Sequence, residues 1–277
     1  MRKLLISLAF GIISAASAQA QTSALQSLDT GNDARGWEAV GRLDIDGKGF
    51  CTGTLIDIDL VLTAAHCLYE SESTNEVDLA DIQFLAGLRN GRPEAARGIT
   101  RAYIHPDYEN GARAVDQASR QLRYDLAILV LSRPIQNSRV HPIQVSNTVS
   151  RGTEVGVVSY AQDRAEVPSL QRVCSVLGEQ SGLLVMDCEI NFGASGAPVF
   201  RYEAGEPRLV SVVSAMADLD GQQVALGPDL SQPLPEMLNR VSELRNGVLH
   251  RPNNEPTGAR VIRPGERNDT GALFVRP

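Results

Sequence analysis

Short apolar runs recur along this chain, each broken by Gly, Pro, Asp or Asn. They include FCTGTLID (50–57), LVLTAA (60–65), IQFLAG (82–87), RGITRAYI (97–104), DLAILVL (125–131), TEVGVVSY (153–160), QRVCSVLG (171–178), LLVMDCEI (183–190), APVF (197–200) and RLVSVVSAM (208–216). Their length, their content of β-branched residues and the scarcity of helical periodicity between them predict an all-β chain, a barrel or a sandwich. One late segment departs from this pattern. In LPEMLNRVSELRNG, residues Leu234, Met237, Leu238, Val241 and Leu244 share one face of a helix. Pro235 suits its first turn and Gly247 its C-terminal cap. Residues 251–277 are rich in Pro, Gly, Asn and charge and are expected to form a flexible tail, while residues 21–35 are similarly polar. No internal repeat at fixed period is present.

The N-terminus changes the picture of where the chain works. Arg2 and Lys3 precede the apolar run LLISLAFGII and the small residues SAASAQA, the order of a secretory signal peptide. Ala18-Gln19-Ala20 fits the cleavage site, with Ala16-Ser17-Ala18 as a rival, and the apolar run is shorter than the roughly 18 residues that a membrane helix needs. Losing Arg2 and Lys3 with residues 1–20 takes the formal charge from −7 to −9. So acidic a surface repels phosphate backbones and anionic lipid heads, which argues against nucleic acid and membrane partners.

Four cysteines, Cys51, Cys67, Cys174 and Cys188, form two close pairs in sequence. Export favours disulfides, with three pairings possible, and the lack of any C-x-x-C spacing argues against a zinc site. The chemistry centres on Ser195 in NFGASGAPVF, because a serine hydroxyl needs a neighbouring base, usually an imidazole oriented by a third group. Of the four histidines, His66 follows the strand-like LVLTAA among small residues that leave room for a ring, and Cys67 can anchor its turn. His105 and His141 precede prolines and His250 borders the tail, so these three read as structural. Asp125 opens an apolar strand, where an acid can orient a base and stabilise its charged form.

Taken in order, TAAHC, YDLAIL and GASGAP closely resemble the three catalytic motifs of the chymotrypsin/trypsin-like serine proteases. The resemblance covers roughly residues 36–245 and points to the bacterial branch that includes the glutamyl-endopeptidase-like enzymes. The order His66, Asp125, Ser195 also excludes an elbow-type hydrolase, which runs serine, acid, histidine. The resemblance implies two packed six-stranded antiparallel β-barrels, the first over 36–145 and the second over 146–250 with the C-terminal helix. It implies a catalytic triad of Ser195, His66 and Asp125, an oxyanion hole of the Gly193 and Ser195 amides, and disulfides Cys51–Cys67 and Cys174–Cys188. Ser214, Ala215 and Met216 resemble the strand that pairs with substrate. Glu189 aligns with the floor of the primary pocket, where it would favour Lys or Arg, and is equally readable as a solvated strand residue.

The expected function is therefore an exported serine endopeptidase, monomeric, secreted or periplasmic, acting on protein or peptide substrates without a cofactor; the alternative is a non-catalytic protein-binding member of the same fold. The acidic stretch Tyr69–Asp78 overlaps a region that holds calcium in some relatives, and carboxylates suit that cation, but such a run is equally a solvated loop. One departure stands out. Animal members carry an aspartate before the serine, which captures the α-ammonium freed on zymogen cleavage; here the position is Ala194. The loop must then be held by packing and backbone hydrogen bonds.

Overall fold

The computed structural model describes residues 22–70, 75–111, 121–146 and 149–245. The leader-like segment, Gly247, His250 and the tail lie outside the described residues. The chain divides into two compact units, Met1–Asn239 and Arg240–Pro277, and both strand systems belong to the first.

The apolar runs become strands. In the first half, β2 (Val40–Ile45), β3 (Gly49–Asp57), β4 (Leu60–Thr63), β5 (Ile82–Ala86), β6 (Ala95–Ile104) and β7 (Ala127–Leu131) close into a barrel in the order β2-β3-β4-β7-β6-β5. Every pairing in it is antiparallel. Leu43, Leu55, Leu62, Phe84, Ile128 and Leu129 are fully buried, each removing apolar surface from water at roughly 2 kcal/mol per side chain.

The second half is an eight-stranded antiparallel sheet rather than a ladder of six. β8 (Glu154–Ala161), β9 (Arg164–Gln180), β10 (Leu183–Met186), β11 (Pro198–Glu203), β12 (Glu206–Val212), β13 (Ala215–Leu219) and β14 (Gln222–Pro228) run in the order β12-β11-β8-β9-β10-β14-β13. The sheet curls enough for Ser211 Oγ at the end of β12 to donate to the Pro228 carbonyl at the end of β14, at 2.8 Å. That contact takes the place of a closing ladder. Curvature comes from bulges where β9 meets β8 and β10.

The eighth strand is β1 (Gln26–Ser27), from the polar N-terminal stretch, paired with Leu170 and Ser169 of β9. Polar side chains do not forbid it, because strand addition uses backbone groups, and Leu28 supplies a fully buried anchor. A short α1 spans Pro106–Gly111, and the late helix, α2 (Pro233–Arg245), forms as its periodicity predicts, with Leu234, Met237 and Val241 buried. No described helix is long and apolar enough to cross a membrane.

Candidate functional site

β4 and β7 are hydrogen-bonded neighbours, with Thr63 opposite Ala127. The antiparallel register therefore brings the residues just after Thr63 to those just before Ala127. His66 stands in the 3-10 turn Ala65–Leu68, packed by the fully buried Ala64 and Ala65, and the disulfide Cys51–Cys67 ties that turn to β3. Asp125 ends a turn closed by its own amide on the Leu122 carbonyl, and only 2 % of it is exposed.

A buried carboxylate is costly unless its lone pairs are used. Asp125 Oδ1 accepts the His66 main-chain N–H at 2.9 Å, and Oδ2 accepts from His66 Nδ1 at 2.7 Å. Ser214 Oγ donates to the same Oδ2. A carboxylate can only accept, so Nδ1 carries the hydrogen and Nε2 presents a lone pair. The imidazole remains partly open, with 36 % of its side chain exposed. Burial opposes its charged form, but the Asp125 hydrogen bond and the Asp125 charge together outweigh it and hold His66 above its ordinary 6.5.

Ser195 reaches the same place from the second sheet. Gly196 (φ +75°) lies so close to this turn that a Cβ there would stand 2.2 Å from Thr63 Oγ1 and 2.9 Å from the Ala64 nitrogen. The backbone bearing Ser195 thus runs against the strand end that leads to His66. The hydroxyl itself makes no hydrogen bond among the described residues, and the hydrogen-bonded chain His66–Asp125–Ser214 does not include it.

Four consecutive carbonyls hold this loop. Phe192 O accepts from the Gln162 amide at 2.8 Å, Ala194 O from the Ala197 amide at 2.9 Å, and Ser195 O from the Thr52 amide at 2.8 Å. Gly193 O accepts from Thr52 Oγ1 at 3.0 Å. In a trans peptide the N–H points opposite to the carbonyl of the preceding residue. The bonds at Phe192 and Ala194 therefore set the directions of the Gly193 and Ser195 amides, and neither amide meets an acceptor among the described residues. Gly193 has φ +95°, and a Cβ there would strike the Phe50 ring at 2.4 Å, so two separate constraints require glycine.

Ala194 is fully buried in the apolar cluster of the second sheet, with Ile190, Ala197, Val199 and Val213. Its amide donates to Asn191 O at 3.0 Å. The second disulfide, Cys174–Cys188, fastens β9 to the segment leading into this loop. Both expected pairings are present.

Ala215 and Met216 are half-buried, and Gln223 Nε2 lies 3.3 Å from Met216 Sδ. Glu189 is exposed, its amide donating to Gln171 Oε1 at 2.7 Å. It lines a cavity of about 370 Å³ with Asp187, Gln171, Gln223 and Ser23. His105 is buried, stacks on Tyr124 and accepts the Asp107 amide at Nδ1, as a structural histidine would. Donor atoms of Cys51, His66 and Cys67 lie within 4.8 Å of one another, but both sulfurs are spent in the disulfide and Nδ1 on Asp125, which leaves no ligand set for a metal. In the acidic stretch, Glu70 accepts from Asn75 and Asp78 from the Ala80 amide, while residues 71–74 lie outside the described residues.

Sequence reasoning missed Thr52, Gln162 and the exposed Phe192, which borders Gly193 with 65 % of its surface open. Only Thr52 carried a signal, as a polar residue beside Cys51 in an otherwise strand-like run. It also assigned Ser214 to substrate alone, whereas the side chain is directed at Asp125.

A family model described as the trypsin-like peptidase domain matches residues 51–210, more than half of the chain. Over 122 residues the chain is 28% identical to a trypsin of Saccharopolyspora erythraea, covering 43% of this chain and 43% of that protein. Over 157 residues it is 29% identical to a glutamyl endopeptidase of Bacillus licheniformis, covering 55% and 46%. The match thus spans less than half the length of each of these relatives. A solved structure of a Glu endopeptidase in complex with MPD shares the fold, with a TM-score of 0.65 at 20% identity over 78% of this chain and 95% of that one. With a closed antiparallel barrel, a second antiparallel sheet and a family match across both, the chain belongs to the trypsin-like serine peptidase family.

Proposed function

We propose that this protein is an exported serine endopeptidase working through Ser195, His66 and Asp125. Ser195 Oγ attacks the peptide carbonyl while His66 Nε2 takes its proton. The oxyanion is met by the Gly193 and Ser195 amides, each such donor being worth about 3 kcal/mol. Collapse breaks the C–N bond, His66 returns the proton to the leaving amine, and water hydrolyses the acyl-enzyme by the same base. Asp125 keeps the tautomer and stabilises the imidazolium. The observations that carry the reading are an imidazole anchored on a buried carboxylate through Nδ1 and a Ser195 loop whose Gly193 and Ser195 amides meet no acceptor among the described residues.

The two disulfides and the leader-like N-terminus support a periplasmic or secreted location. The cavity beside Met216 and Gln223 has two carboxylates in its wall, Asp187 and Glu189, which favour a cationic substrate side chain over an acidic one. Labelling with a fluorophosphonate probe tests the reaction, because only an activated serine reacts. We expect stoichiometric labelling of Ser195, and an unlabelled folded protein would mark a binding member of the fold instead. Cleavage of a peptide library tests the pocket, with Lys or Arg expected before the scissile bond.

A further inference from the structure

Thr52 touches both the loop of Ser195 and the strand behind it. Fully buried on β3, it uses all its polar groups at the junction of the two strand systems. Its amide donates to Ser195 O, and its carbonyl accepts from Thr63 Oγ1 at 2.9 Å. Its hydroxyl accepts the Tyr160 amide of β8 at 3.2 Å and donates to Gly193 O. These roles are not interchangeable, since an amide can only donate and a carbonyl can only accept.

Gly193 has no Cβ to restrict its rotation, and at φ +95° it sits where few other residues would stay. Its N–H direction is therefore held from outside. The peptide before it is fixed by the Gln162 amide, and the peptide after it by the Thr52 hydroxyl. Together these two bonds lock φ and ψ of the glycine. Ala194 offers no carboxylate to brace the loop from within.

We propose that the Thr52 hydroxyl is a positioning residue for the oxyanion hole, doing from the first barrel what an ion pair at position 194 would otherwise do. This rests on the peptidase reading above. Without the hydroxyl, Gly193 O and the Tyr160 amide lose a buried partner, the glycine gains rotational freedom, and its amide no longer waits at a fixed place for the oxyanion.

The test compares wild type with Thr52→Val, which keeps the shape and removes the hydroxyl, and Thr52→Ser, which keeps the hydroxyl. We expect the valine variant to lose about tenfold to a hundredfold in kcat with KM within about threefold, and the serine variant to stay within about threefold of wild type, a fraction of the loss on deleting an oxyanion donor outright. A peptide boronic acid, which forms a tetrahedral adduct, should lose affinity for the valine variant in parallel with kcat, while a product peptide binds as before. If both ligands weaken equally, or if kcat is unchanged, the inference is overturned. Should the valine variant not fold, Thr52→Ala carries the same comparison, and equal loss in Thr52→Ser and Thr52→Ala would likewise overturn it. Failure of the wild-type protein to label with a fluorophosphonate or to cleave any peptide would instead defeat the peptidase reading.

Discussion

His66 and Asp125 meet because β4 and β7 are ladder neighbours within one closed barrel, so the distance between them follows from register. Ser195 has no such guarantee. Its loop belongs to a sheet that does not close through its ladder, and two of its four carbonyl anchors come from Thr52, on the other strand system. The base–acid pair is thus local to one module, whereas the geometry of the nucleophile is decided where two modules touch. The base–acid pair is therefore vulnerable to loss of its own hydrogen bonds, and the loop to any change, in hydrogen bonding or packing, where the two strand systems meet.

The largest effect should come from the reacting groups. Ser195→Ala and His66→Ala are each expected to lower kcat by about six orders of magnitude, with the double variant little worse, since such residues act as a unit. Thermal unfolding should shift little. Additive losses would show that the two modules contribute independently.

Ala194→Asp attacks the loop from its apolar side. The carboxylate would enter a buried cluster among Ile190, Val199 and Val213 that holds no cationic residue among the described residues. We expect a loss of about 3 kcal/mol or more in denaturant unfolding, or a loop expelled from the cluster with probe labelling lost. Unchanged stability and labelling would mean that the loop does not depend on this packing.

Opening a disulfide should have a smaller effect. The two sequence separations are 16 and 14, so opening either one by double alanine substitution should cost about 3 kcal/mol in the chain-entropy model. The kinetic effects should differ. Losing Cys51–Cys67 frees the turn of His66 and should shift the acid limb of the pH–rate profile, while losing Cys174–Cys188 should leave that limb in place and change KM. Identical kinetic changes would erase the distinction.

The smallest effect is the limb itself. General-base action needs neutral His66, whose pKa lies above 6.5, so kcat/KM should rise with pH through a midpoint above 6.5. Asp125→Asn removes the two influences that raise it and leaves burial, so the midpoint should fall below 6.5. The sign for stability is opposite. The His66–Asp125 pairing stabilises the fold fully below 6.5, and that contribution is lost as pH rises through the folded-state value. A midpoint that does not move in Asp125→Asn would detach the base from its carboxylate.

Much of this was legible in the residues alone. Apolar runs at strand length foretold the β architecture, five apolar residues at helical spacing foretold the buried face of α2, and TAAHC, YDLAIL and GASGAP located His66, Asp125 and Ser195. These features repeat a local period or occupy a short contiguous motif, so neighbouring residues suffice to specify them. The rest depended on how the two strand systems pack. That Gln26–Ser27 joins β9, that Ser214 donates to Asp125, that Ala194 sinks into an apolar cluster and that Thr52 grips Gly193 all join residues far apart in the chain. Backbone pairing is nearly blind to side-chain type, and a buried hydroxyl reads in sequence like any other strand threonine. Which partner each one finds is settled only when the two strand systems pack together.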